Sequence, residues 1–308
     1  MGGNETTCPV SGCTYTDRLA SVAAHISGKR DAAHDWERLG YDGAYDYKRK
    51  QRKKLKSETS HATIGWLTDS HIGKETGGYG NNSWDISPLD GFQEVTEFLG
   101  SLDLDSVVYT GDLFHNDKRG ISNANQRRVE SILESNFSDF LPIYYIAGNH
   151  ARNKGRSVWS EFERNQIAEP LSTDPVVVEN TAIYGIDYHE GGWWKQSSPC
   201  LQPTNAEYRI LCLHQSVEPY RSASSSELDL RTRLSEVSRL IEGVPEFVLL
   251  GHLHEVIDDT FIIDGQEVRV VNPGATTRVG NRQESFAPSA GLVRSIPDGP
   301  QYIRISFD

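Results

Sequence analysis

Five short runs of metal-capable residues each follow an apolar segment of strand length. Thr63 to Leu67 leads into Asp69-Ser70-His71, and Val107 to Tyr109 into Gly111-Asp112. Ile143 to Ala147 leads into Gly148-Asn149-His150, Ile210 to Leu213 into His214, and Phe247 to Leu250 into Gly251-His252-Leu253-His254. Carboxylate and amide oxygens with imidazole nitrogens, and no thiolate, suit Mn²⁺, Fe or Zn²⁺ in an open catalytic site better than a closed structural one. In extended backbone alternate residues face the same way, so Asp69 with His71, and His252 with His254, can each reach a single site. Asp112 carries two oxygens and can bridge two cations. Two cations roughly 3.5–4 Å apart can activate a water and stabilise the attacking and leaving oxygens of an in-line displacement at phosphorus. Any one of these runs is an ordinary turn; five in one chain, each just past an apolar run, point to one metal centre.

The elements that must position these groups read as an α/β chain. The strand-like runs Thr63 to Leu67, Ser106 to Tyr109 and Pro142 to Ala147 alternate with amphipathic helical patterns over Pro88 to Leu102 and Ser122 to Phe137. Further strands are expected at Tyr208 to Leu213 and Glu246 to Leu250, with a helix over Glu227 to Glu242 between them. Thr260 to Ile263 and Glu267 to Val271, parted by Asp264-Gly265, predict a hairpin. In open α/β sheets the crevice at the carboxyl ends of the strands is where ligands bind, so the five polar runs should converge there.

In this order the motifs Asp-x-His, Gly-Asp, Gly-Asn-His, His and Gly-His-x-His resemble the calcineurin-like metallophosphoesterase superfamily over roughly residues 62 to 280. Gly111-Asp112-Leu113-Phe114-His115, Leu213-His214-Gln215 and Asn272-Pro273-Gly274 are similar to SbcD-type double-strand-break repair nucleases within it. The resemblance implies two packed β-sheets flanked by helices. It also implies that Asp69, His71 and His254 hold one metal, that Asn149, His214 and His252 hold the other, and that Asp112 bridges them. His150 would stabilise the transition state or protonate the leaving oxygen. His115 would assist catalysis or orient substrate, or else support a metal ligand from behind. Many relatives carry Asp after Gly-Asn-His where this chain has Ala151. SbcD-type enzymes also carry a capping domain and a segment that docks on a Rad50/SbcC-type ATPase, for which the 34 residues after Gly274 leave no room, so no ATPase partner is expected.

The N-terminal stretch carries different chemistry. Cys8, Cys13, His25 and His34 match a tetrahedral Cys₂His₂ zinc site in type, although eight residues separate the histidines where three to five are usual. A metal would explain how so short a stretch folds without a core of its own. Behind it Lys48, Arg49, Lys50, Arg52, Lys53, Lys54 and Lys56 place seven positive charges in nine residues, suited to phosphates, and Tyr41, Tyr45 and Tyr47 could stack on unpaired bases. The division expected is a zinc-finger-like unit at 1–40, a basic linker at 41–60 and a metallophosphoesterase domain at 61–308.

The 308 residues carry a formal net charge of -12, yet residues 1 to 56 hold 11 Lys+Arg against 7 Asp+Glu. The remainder is acidic and poor in lysine, which suits a high-salt cytoplasm where screening weakens self-repulsion. Hydrophobic residues at 37% exclude a disordered chain. The absence of a long apolar run, and of a basic-then-apolar start, speaks for a cytoplasmic location without a membrane span. The function expected is a two-metal phosphoesterase with Mn²⁺ favoured, acting on DNA as a nuclease in repair or processing. The alternatives are a phosphatase or phosphodiesterase on a small or nucleotide substrate, and a DNA-binding module with a degenerate metal site.

Overall fold

The structure, a computed structural model, describes residues 5–44, 47, 61–74, 87–115, 121–137, 141–151, 155–189, 199, 201–217, 245–277, 287–296 and 299–307. The basic run Lys48 to Lys56 and the helix expected over Glu227 to Glu242 lie outside the described residues. The chain divides into two compact units, Met1–Ser60 and His61–Asp308. Among the described residues no helix is long and apolar enough to cross a membrane.

In the smaller unit β1 (Glu5–Thr7) and β2 (Thr16–Arg18) form an antiparallel hairpin, followed by α1 (Leu19–Gly28) and a 3₁₀ turn at Ala32–His34. This unit has a core, contrary to the expectation from its composition. Cys8, Val10, Val22, Ala23, Ile26 and Tyr47 are buried in it, with Trp36 and Tyr41 packed alongside. The Tyr47 ring meets Tyr41 edge-on at 4.9 Å and Trp36 at 5.4 Å. Burial removes Tyr47 from the residues able to stack on bases, because the apolar area that this small unit hides is worth more than an exposed ring.

The larger unit contains two six-stranded sheets. The first has the order β14 (Gly299–Ser306), β13 (Ser289–Ile296), β3 (Thr63–Leu67), β4 (Ser106–Thr110), β5 (Ile143–Ile146), β6 (Glu169–Pro170). The second has the order β11 (Val256–Ile263), β12 (Gln266–Pro273), β10 (Phe247–Gly251), β9 (Tyr208–His214), β8 (Thr181–Ile186), β7 (Val176–Val178). Strands β3 to β6 run parallel, as do β8, β9, β10 and β12, while β13 pairs antiparallel with β3 and β14, β11 with β12, and β7 with β8. Period-two alternation divides each strand between two layers. Ile64, Trp66, Val108, Ile210, Cys212, Phe247 and Leu249 fill one core. Their neighbours Leu67, Val107 and Tyr109 pack with Phe92, Val95, Leu99, Val129, Leu133, Trp159 and Phe162 from the helices, and Leu211, Leu213, Val248 and Leu250 fill a third core.

The helices start where their caps require. Ser87 accepts a hydrogen bond from the Asp90 amide ahead of α2 (Pro88–Gly100), and Ser122 from the Asn125 amide ahead of α3 (Asn123–Asn136). The hairpin β11–β12 turns at Asp264 and Gly265, both with positive φ, as a two-residue turn demands. Helix α4 (Gly155–Arg164) and strands β6, β7, β8, β13 and β14 were not legible in the sequence. In β13 the break in pattern is Gly291, where an added Cβ would sit 2.5 Å from the Trp66 ring.

Candidate metal centre

Register brings the five polar runs to one end. Leu67 pairs with Tyr109, Thr110 with Ile146, and Gly251 with His214, so the loops that follow leave the sheets at matched heights. Beyond β3 and β4 the two loops continue side by side. The Asp69 amide donates to Gly111, His71 to Asp112, Ile72 to Leu113, and the His115 amide back to Ile72. Asp69, His71, Asp112, His252 and His254 all have positive φ, between 44° and 79°. This left-handed backbone costs on the order of 1 kcal/mol or more per residue and concentrates at sites whose surroundings enforce it.

Two glycines make room. A Cβ at Gly148 would lie 2.1 Å from Asp112 Oδ1, and one at Gly251 would lie 2.1 Å from the Thr110 carbonyl oxygen. A polar network behind the site holds the Asp69–His71 turn: the Tyr109 hydroxyl bonds the Ser70 amide and hydroxyl, Ser70 Oγ meets Thr276 Oγ1, and Thr277 donates to the Ser70 carbonyl. Sequence reasoning missed Tyr109, Thr276 and Thr277, because a hydroxyl becomes informative only once it is known to be buried.

The candidate ligands fall into two groups. In the first, His254 Nε2 lies 3.2 Å and His71 Nε2 3.7 Å from Asp69 Oδ1, and the two Nε2 atoms are 3.1 Å apart. In the second, Asn149 Oδ1 lies 3.1 Å from His214 Nε2 and 2.9 Å from His252 Nδ1. Asp112 stands between them, its Oδ2 3.2 Å from His214 Nε2 and 3.8 Å from His71 Nε2. His150 Nε2 is 4.0 Å from the same oxygen, with 26% of its side chain open to solvent. His115 Nδ1 approaches His71 Nδ1 at 3.2 Å.

The residues fit a cation pair. Asp69 Oδ1 is buried without a hydrogen-bond partner, whereas Oδ2 is held by Thr68 Oγ1 and the His252 amide. Imidazole nitrogens 3.1 Å apart beside a carboxylate oxygen are spaced like neighbours around one ion. His214 Nδ1 donates to the Thr110 carbonyl at 2.7 Å, which fixes the tautomer and turns the Nε2 lone pair inward. Burial alone would push the Asp112 carboxyl up, but His214 and His71 outweigh it and hold the group at about 2. Asp69 behaves alike: burial opposes ionisation, and His254, His71 and His214 bring it well below the usual carboxylate range. Burial pushes the His214 imidazole down, and Asp112 and Asp69 overcome it and carry it up to about 9. Burial dominates at His71 and His150, whose imidazoles are pushed down. The result is a buried anionic pair ringed by imidazoles and open on the His150 side.

The profile of the calcineurin-like phosphoesterases matches residues 62–256. The chain belongs to that family. Calcineurin-like phosphoesterases are hydrolases of phosphate esters, and the two-sheet fold agrees. A dimetal phosphatase from Danio rerio has the same fold, with a TM-score of 0.51 at 12% identity over 80% of this chain and 99% of that one. Among curated proteins, the DNA double-strand break repair protein Mre11 of Haloferax volcanii is 28% identical over 215 residues, covering 68% of this chain and 44% of that protein. The protein of the same name from Methanosarcina acetivorans is 28% identical over 200 residues, covering 61% of this chain and 30% of that protein. The chain thus spans less than half the length of these curated relatives.

Proposed function

We propose that the protein is a two-metal phosphodiesterase that cleaves DNA. The observation that carries the two-metal part is Asp112 Oδ2, placed between a group formed by Asp69, His71 and His254 and a group formed by Asn149, His214 and His252. On this reading each group would hold one divalent cation, Mn²⁺ by preference, and Asp112 would be available to both. When bound, the cations supply Lewis-acid stabilisation of charge at phosphorus and a nucleophile at neutral pH. His150, on the open side, would stabilise the transition state by a hydrogen bond from its ring to the charge that develops at phosphorus. His115 keeps the His71 ring oriented from behind, acting through that ligand. DNA as substrate is supported by the relatives' names and by the run Lys48 to Lys56, whose charge suits a polyanion approaching an acidic domain.

Labelled single- and double-stranded DNA incubated with Mn²⁺ at high KCl tests this reading, comparing wild type with His150→Ala. Metal-dependent cleavage that His150→Ala abolishes is the expected result. Intact DNA alongside hydrolysis of a chromogenic phosphodiester would leave the centre in place and refute the substrate. Inactivity on both would refute the phosphodiesterase itself.

A further inference from the structure

The N-terminal unit places a second set of metal-capable groups together by a different route. Cys8 and Cys13 bracket the turn of the β1–β2 hairpin, which closes through the Cys8 amide to the Tyr15 carbonyl at 2.8 Å and the Cys13 amide to Val10 at 2.9 Å. His25 falls in the last turn of α1 and His34 ends the 3₁₀ turn. The break after Gly28 followed by that turn lets His34, with eight residues between it and His25, return to the same point. One donor atom from each of Cys8, Cys13, His25 and His34 lies within 4.8 Å of all the others. Zn–S bonds of about 2.3 Å and Zn–N bonds of about 2.0–2.1 Å place tetrahedral ligands about 3.3–3.8 Å apart. Cys13 Sγ and His25 Nε2 are 3.3 Å apart.

Three further observations point to a cation. Both Asp31 oxygens meet His34 Nδ1, at 2.7 and 2.9 Å, and since a carboxylate only accepts, Nδ1 carries the proton. His34 Nε2 is therefore a lone pair, and it is buried with no hydrogen-bond partner. Carboxylate, histidine and an inward lone pair form the arrangement that orients metal-binding imidazoles. Next, Tyr15 stacks on the His25 ring at 4.2 Å and 3°, fixing its plane. Last, Cys8 and Cys13 are free thiols, so both sulfurs are available to a cation.

We propose that Cys8, Cys13, His25 and His34 hold one structural zinc ion in a tetrahedral site, with Asp31 as the positioning residue behind His34. The site closes the hairpin onto the helix in a unit whose core, among the described residues, has six buried side chains, too few to hold it together by burial alone. This metal is independent of the phosphoesterase reading, because no cysteine is among the ligands assigned there.

The test replaces zinc with cobalt in the full chain. Metal-stripped wild type titrated with Co²⁺ should develop a near-ultraviolet sulfur-to-cobalt charge-transfer band, which oxygen and nitrogen ligands alone do not produce. Cys8→Ser/Cys13→Ser should abolish it. Absence of the band in wild type, or its persistence in the double variant, would overturn the site. Asp31→Asn should keep the band while zinc affinity, read by competition with a chromophoric chelator, falls roughly 10- to 100-fold; unchanged affinity would overturn the role of Asp31.

Discussion

Replacing Gly251 with alanine asks whether the close approach of β10 to β4 is what seats the metal centre. The new Cβ would lie 2.1 Å from the Thr110 carbonyl oxygen, 2.6 Å from His214 Nδ1 and 2.7 Å from Thr68 Oγ1, so backbone must shift by about 1 Å to restore ordinary van der Waals separation. That carbonyl accepts a hydrogen bond from His214 Nδ1 at 2.7 Å. Losing it costs about 1 kcal/mol, and the methyl group adds about 1–3 kcal/mol of overpacking. The total, on the order of 2–4 kcal/mol, corresponds in a unit of this size to a fall in Tm of about 4–16 °C. A displacement of His214 by about 1 Å should also slow phosphodiester hydrolysis on the order of 100-fold. Gly265→Ala is the control: its φ is +82° but the space around it is open, so it costs only about 1 kcal/mol of backbone strain and should hydrolyse as wild type does. Thermal melts and hydrolysis of a chromogenic phosphodiester read both quantities. If Gly251→Ala melts and turns over like wild type, the reasoning from close approach is wrong.

Asp112→Ala should lower occupancy of both cations together, whereas Asp69→Ala should spare the group around Asn149; metal analysis after dialysis distinguishes shared from separate loss. Stripped of metal, His214 has its pKa raised above the unfolded value, so its contribution to stability is full below about pH 6.5 and is lost as pH rises through about 9. Melts of chelated protein at pH 6 and pH 9.5 should show that decline, and its absence would deny the His214–Asp112 pairing. Replacing the seven Lys and Arg between Lys48 and Lys56 with Gln should weaken DNA binding and flatten its salt dependence, by roughly 0.7–0.9 in log–log slope for each phosphate that the protein no longer neutralises. An unchanged slope would place DNA binding elsewhere.

Much of the frame was legible because it is local. Apolar runs of strand length followed by Asp, Asn and His marked β3, β4, β5, β9 and β10 and the turns after them, and the amphipathic patterns from Pro88 and from Ser122 marked two helices, since periodic burial acts within a few residues. The Asp264-Gly265 turn was readable for the same reason, its type being set by the two residues in it. Strand β8, by contrast, alternates little because both its faces are buried, and β13 hides behind a glycine shaped by Trp66 from another strand.

The chain by itself determined which atoms were available: carboxylate, amide and imidazole past one set of strands, and thiol with imidazole at the N-terminus. Only the tertiary structure decided that Asp112 faces two groups at once, that five site residues take left-handed backbone, and that Tyr47 is core. It also decided that Asp31 stands behind His34 and that Tyr109, Thr276 and Thr277 brace the Asp69–His71 turn. Such distances depend on packing between residues far apart in the chain, as Ser70 and Thr276 are. A hydrogen bond or a shared cation has no signature in the spacing of residues that meet only when sheets pack.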